Sequence, residues 1–90
     1  MRERIRSELN KYIKRGKALE YFTDAVELYD SDGDSLKRVY TAVAARRGVS
    51  VGAVERSCSL AVANAELDGK MTAKELIALT KERILFDFDE

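Results

Sequence analysis

The sequence predicts an all-α fold, a compact bundle of about five helices in a single domain over residues 1–90, containing a helix-turn-helix at about residues 36–66. Three observations support this prediction. Apolar residues recur at helical spacing along most of the chain, the 90 residues contain no proline, and the five glycines are isolated from one another. A chain of this length folds as one domain around a modest core.

Charge is balanced overall, with 16 basic and 16 acidic residues, but it is divided into blocks. Residues 1–17 carry a net charge of +5, residues 18–35 of −6, residues 36–66 of +3 and residues 67–90 of −2. Two basic blocks are therefore hidden in a neutral chain. Blocks of this kind supply the electrostatic footprint of a nucleic-acid-binding protein.

The composition argues against catalysis. The sequence has no histidine, which is the commonest general base and metal ligand. The isolated glycines form no phosphate-binding loop. We therefore expect no enzyme, no cofactor and no metal site.

Cellular location follows from two further features. Cys58 is the only cysteine, so an internal disulfide is excluded, which fits a reducing compartment. No apolar run approaches the roughly 18 residues of a membrane span, and no signal-peptide core follows Met1. We expect a cytoplasmic protein without a membrane partner.

The first predicted helix covers Arg2 to Lys14, and Gly16 ends or bends it. One face is apolar and is formed by Ile5, Leu9, Tyr12 and Ile13. A basic amphipathic helix of this kind also suits a membrane surface or a row of phosphates. Four apolar residues make a weak membrane anchor, so we favour a bundle helix.

The second predicted helix, Lys17 to Tyr29, has an apolar stripe and an acidic outer face, formed by Glu20, Asp24 and Glu27. The following Asp30–Ser35 has aspartates at alternate positions, as in a calcium loop. An EF-hand loop needs glycine at its sixth position and glutamate at its twelfth, where this chain has Ser35 and Thr41. A turn in which Asp34 or Ser35 caps the next helix is the better interpretation.

The third and fourth predicted helices, Leu36–Arg47 and Val51–Glu66, are joined by a short turn. Gly48 is expected in the left-handed conformation that stops a helix, and Ser50 is expected to cap the next one. Cys58 is expected as a buried filler on the inner face. Three residues have the spacing of a helix-turn-helix: Ala44, Gly48 and Val54.

The last predicted helix starts at a capping box formed by Thr72 and Glu75, after Asp68–Lys70 closes the fourth helix. Leu76, Ile77, Leu79 and Ile84 are expected to face the core. The tail, residues 85–90, alternates apolar and acidic side chains. It either docks its phenylalanines on the bundle or frays.

If the helix-turn-helix is real, helix 51–66 enters the major groove of double-stranded DNA. Arg56 is then expected to pair with guanine, Glu55 with cytosine, and Ser59 with a base or a phosphate. Basic residues of the preceding helix, together with the basic first helix, would contact phosphates. The predicted DNA-binding residues are Lys37, Arg38, Arg46, Arg47, Ser50, Gly52, Ala53, Glu55, Arg56 and Ser59. The alternative interpretation is a solvated helix face.

Several short motifs, in this order and spacing, resemble one family. It is the DNA-binding effector domain at the C-terminal end of stage zero sporulation protein A, a response regulator. The matching residues are Tyr12-Ile13-Lys14 with Gly16, Tyr21-Phe22, Ala25-Val26, Val39-Tyr40, Ala44, Arg47, Val54-Glu55-Arg56, Ala61, Val62 and Glu75-Leu76-Ile77-Ala78.

The resemblance implies a helical bundle that binds promoter DNA as a homodimer or tandem pair, with Glu55 and Arg56 reading bases. The chain departs from the family in having Ala53, Ser59 and Leu60 on the fourth helix. It also has a shorter connection to the last helix. These departures motivate an alternative function, a helical protein–protein interaction module with weakened DNA readout.

Overall fold

The computed structural model describes residues 2–13, 16–29, 35–65 and 72–86. Within those ranges the chain forms five helices and no strand, which confirms the all-α prediction. The helices are α1 (Arg2–Leu9), α2 (Lys17–Leu28), α3 (Leu36–Arg47), α4 (Val51–Asn64) and α5 (Ala73–Phe86). The radius of gyration is 12.1 Å, close to the roughly 12 Å of a compact domain of this length.

Helix α2 lies at the centre of the bundle and packs against each of the other four helices. Its residues from Tyr21 to Val26 are all buried, and Phe22 is the largest fully buried side chain. A helix that is buried around most of its circumference needs neighbours on several sides. The bundle is thus organised around α2, while α3 and α4 lie on its flank.

The predicted caps of α3 and α5 are confirmed. The Ser35 hydroxyl accepts a hydrogen bond from the backbone N–H of Arg38 (3.2 Å) at the start of α3. At the start of α5, the Glu75 N–H donates to the Thr72 hydroxyl (3.2 Å) and the Thr72 N–H donates to the Glu75 carboxylate (3.0 Å). This reciprocal pair is a capping box.

Helix α1 is shorter than the sequence predicts, since it ends at Leu9. The chain then tightens into a turn in which the N–H groups of Tyr12 and Ile13 both donate to the Leu9 carbonyl, at 2.9 and 2.8 Å. Gly16 precedes α2 with a φ of 120°, which L residues rarely adopt. The apolar stripe of the first helix therefore continues into the turn, where Ile13 is buried and Tyr12 is half-buried.

The inner face of α5 also differs from the prediction at one position. Leu76, Ile77 and Ile84 are buried as expected, but Thr80 takes the fourth inward position and Leu79 is only half-buried. Helix α5 continues to Phe86, whose side chain is 71% exposed. The remaining predictions, for Lys14, the aspartates of 30–34, Glu66, residues 68–70 and the tail after Phe86, lie outside the described residues.

Candidate nucleic-acid interface

The connection between α3 and α4 has the predicted glycine stop and serine cap. Gly48 adopts the left-handed conformation (φ 67°, ψ 35°), and both it and Val49 donate their N–H groups to the Ala44 carbonyl. Ser50 then caps α4, because its hydroxyl accepts from the Ala53 N–H (3.1 Å). Ala44 at the end of α3 and Val54 in the first turns of α4 are both buried, so the core fixes the two helices on either side of the turn.

The outer face of α4 is exposed, and it carries little charge. Its exposed residues are Gly52, Glu55, Arg56, Ser59, Leu60, Ala63 and Asn64. Ala53, which was predicted on this face, is half-buried. The Arg56 side chain makes no hydrogen bond or ion pair with any residue in the described ranges, so its guanidinium group is open to a ligand.

Two of the predicted phosphate contacts are already engaged within the protein. Arg47 binds Asp24 of α2 through two nitrogens, with Nε–Oδ2 at 2.5 Å and Nη2–Oδ1 at 2.9 Å. Arg46 donates to Glu27 at 2.9 Å and lies 3.4 Å from Asp24. Both guanidinium groups therefore face α2 carboxylates, and either would have to leave its carboxylate to reach a phosphate.

The same carboxylates bind the basic block of α1. Arg2 Nη1 lies 2.8 Å from Asp24 Oδ1 and 2.5 Å from Glu27 Oε1, and Arg6 lies 2.7 Å from Glu20. We call Glu20, Asp24 and Glu27 the acidic stripe of α2. Arginines of both α1 and α3 thus pair with the stripe, so two arginines of each basic block are neutralised internally.

Asp24 corrects the expectation of a solvent-facing acidic stripe, because it is fully buried. Burial, the largest single influence, raises the pKa of this carboxyl group. Hydrogen bonds and charge from Arg47 and Arg2 outweigh burial and hold the pKa of Asp24 below its ordinary value of 3.8. A buried carboxylate that keeps its charge needs such partners.

The remaining predicted cations lie at the start of α3. Lys37 and Arg38 are both exposed. Lys37 has no side-chain ion pair among the described residues. Glu55 is exposed on α4. Its negative charge contributes to raising the pKa of the buried Tyr40 hydroxyl, after burial and the neighbouring Cys58 thiol.

Cys58 is buried as predicted. Burial raises the pKa of its thiol to about 11, while the neighbouring Tyr40 hydroxyl acts in the opposite direction. A thiol with this pKa is almost wholly protonated at neutral pH and is therefore a poor nucleophile.

The described residues contain neither a cluster of metal ligands nor a helix that could span a membrane. No group of three or more metal-ligating side chains is positioned to hold an ion in the described ranges. Among the five helices, none combines the length and the apolar character that crossing a bilayer requires.

Comparison with known proteins found no matching family model, no matching curated protein and no matching solved structure.

Proposed function

We propose that the chain is a DNA-binding transcriptional regulator that places α4 in the major groove. The observation that carries this proposal is the exposed Arg56, which has no partner among the described residues. It lies on a helix that is fixed at its start by a left-handed glycine turn and a serine cap. A recognition helix needs both properties, a defined orientation and a free side chain that can form two hydrogen bonds with guanine.

The basic residues divide into two groups under this proposal. Lys37 and Arg56 are the principal contacts, with Arg38 beside Lys37. Three small residues, Ser50, Gly52 and Ser59, lie on the surface that would face the DNA. Arg46 and Arg47 remain predicted phosphate contacts, but each exchanges a carboxylate for a phosphate, which reduces its net contribution. The affinity for DNA is therefore expected to depend on few phosphate contacts and to fall gently with salt.

We further propose that the protein acts in the cytoplasm and binds its site as a homodimer or tandem pair. A single α4 with one strong base-reading pair, Glu55 and Arg56, specifies few base pairs. Two copies on adjacent half-sites double the sequence that is read. The resemblance to the sporulation regulator's effector domain supports the same arrangement.

The decisive experiment is selection of duplexes from a random pool, followed by titration of the selected site at several salt concentrations. Arg56→Ala is expected to weaken specific binding by about 1–3 kcal/mol and to relax the preference at one base pair. Lys74→Ala is the control, because Lys74 is exposed, has no described partner and lies on α5. It is expected to change affinity little. If no duplex is enriched and binding stays weak at low salt, the proposal is wrong.

A second candidate function is a helical protein–protein interaction module. The observation that favours it is Leu60, which is 58% exposed on α4 one turn after Arg56. An apolar side chain at that position suits a protein partner better than a DNA groove. Leu60→Ser distinguishes the two functions, since it should leave DNA affinity unchanged or slightly higher but weaken binding to a protein partner.

A further inference from the structure

An open groove runs between α4 and the turn that joins α1 to α2. Its volume is about 480 Å³. Leu60 and Ala61 of α4 form one wall, while Tyr12 and Ala18 form the other. Leu60 is largely exposed there and Tyr12 is half-buried, so apolar surface remains uncovered on both walls.

The charged side chains among the described lining residues of this groove are of one sign. Lys11 and Lys17 are part of its lining, both are exposed, and no carboxylate is among the described lining residues. Glu8 lies 3.0 Å from Lys11 and 3.5 Å from Arg83. One negative charge is thus shared between two cations, and the described part of the rim keeps a net positive charge.

We infer that this groove binds a short acidic peptide segment of a partner protein, which inserts a leucine or an aromatic side chain against Leu60. The inference rests on the second candidate function and specifies its partner. Apolar walls supply the anchor site, and the lysines at the rim select for acidic residues beside the anchor.

Other occupants fit the groove less well. Small molecules are usually enclosed over most of their surface, whereas this groove is open along its length. Phosphates of nucleic acid match the lysines but leave the apolar surface of Leu60 and Tyr12 uncovered. An acidic segment with an apolar anchor complements both features together.

The test is selection of short random peptides displayed on phage against the full chain, followed by titration of the synthetic peptides that are enriched. Enriched peptides should be acidic and carry leucine or an aromatic residue. Their binding should weaken when the salt concentration rises. Leu60→Asp should reduce affinity roughly tenfold or more, as loss of a central anchor does, and Lys17→Glu should reduce it severalfold.

The matched control is Phe86→Asp, which makes the same kind of change at another exposed apolar side chain, on α5. It should leave affinity within about twofold. Because Leu60 and Phe86 are both exposed, both variants should keep the helical circular dichroism of the parent chain.

The outcomes separate the inference from the function on which it rests. If basic or neutral peptides are enriched and Leu60→Asp abolishes their binding, the interaction module stands and the acidic partner is wrong. If no peptide is enriched, both are wrong. If duplex DNA displaces the selected peptides and loses affinity on Lys17→Glu, the groove belongs to a DNA surface and the inference is overturned.

Discussion

Helices α2 and α4 both carry charged side chains at helical spacing, but they use them in opposite ways. On α2, the acidic stripe is held by arginines from α1 and α3, and Asp24 at its middle is fully buried. On α4, Glu55 and Arg56 are exposed, and Arg56 has no partner in the described part of the chain. The first arrangement fixes the positions of three helices. The second leaves a charge available to bind something else.

The difference shows how far a count of basic residues overstates a binding surface. Five basic residues lie in the segment 36–66, but Arg46 and Arg47 are paired with carboxylates of α2. The acidic segment 18–35 is separate from the basic blocks in the sequence. In the fold, its α2 carboxylates pair with two arginines of each block. Variants that remove one member of each arrangement test this distinction directly.

The largest expected effect is that of Asp24→Asn. At neutral pH this variant should lower the free energy of unfolding by roughly 2–4 kcal/mol, because it breaks ion pairs to a fully buried carboxylate. Urea denaturation followed by circular dichroism measures the change. Glu55→Gln on α4 is the matched control and should stay within about 0.5 kcal/mol of the parent.

The pH dependence of the stability difference between the parent and Asp24→Asn tests whether the charge of Asp24 is the cause. Since the pKa of Asp24 in the folded state lies below its ordinary value of 3.8, its stabilisation is fully present above that value. It is lost as the pH falls through the lower, folded-state pKa. The difference between parent and Asp24→Asn should therefore be constant between about pH 7 and 5 and should shrink below pH 3.8. A difference that persists undiminished in strong acid would mean that packing, not charge, holds Asp24.

A smaller effect is expected from Arg47→Ala. This change removes two hydrogen bonds to the buried Asp24 carboxylate, and hydrogen bonds to charged groups contribute roughly 1.5–3 kcal/mol to stability. Arg2 still neutralises Asp24, so we expect the lower half of that range. The free energy of unfolding measures it.

Arg56→Ala is the matched comparison for Arg47→Ala, because both variants replace a helical arginine by alanine. Arg56→Ala should change the free energy of unfolding by no more than about 0.5 kcal/mol. It should weaken DNA binding more than Arg47→Ala does. Equal losses of stability in the two variants would show that Arg56 also has a structural role.

Much of the fold was predictable because it depends on local sequence. Periodicity located all five helices, and the caps at Ser35, Ser50 and Thr72 follow from residue types that satisfy the first N–H groups of a helix. The end of α1 was not predictable from periodicity, because its apolar stripe continues into a turn.

The site was predictable only in part. Gly48 and the exposed face of α4 follow from the sequence between residues 36 and 66. The burial of Asp24 does not, since it depends on which helices pack beside α2. A signal was present, because Glu20, Asp24 and Glu27 recur at spacings of four and three residues between two basic blocks. The groove at Leu60 was not predictable either, because it forms only where α4 and the α1–α2 turn lie side by side in the tertiary structure.

Among the variants that are expected to destabilise the fold, the smallest effect concerns Gly48, which directly follows Arg47 and precedes α4. Gly48→Ala should lower the free energy of unfolding by roughly 1–2 kcal/mol, because φ is +67°. An added Cβ has no atom within 4 Å, so it meets no clash. The loss is therefore one of backbone conformation alone. Gly52→Ala is the matched control, since Gly52 is helical and equally uncrowded, and it should stabilise by up to about 1 kcal/mol. Gly48→Asn should fall between the two, because asparagine tolerates the left-handed conformation. Opposite signs for the two alanine variants, measured by thermal unfolding, would establish that the turn after Arg47 depends on its backbone geometry. Loss of stability in both would instead contradict the open space that surrounds the added Cβ at each position.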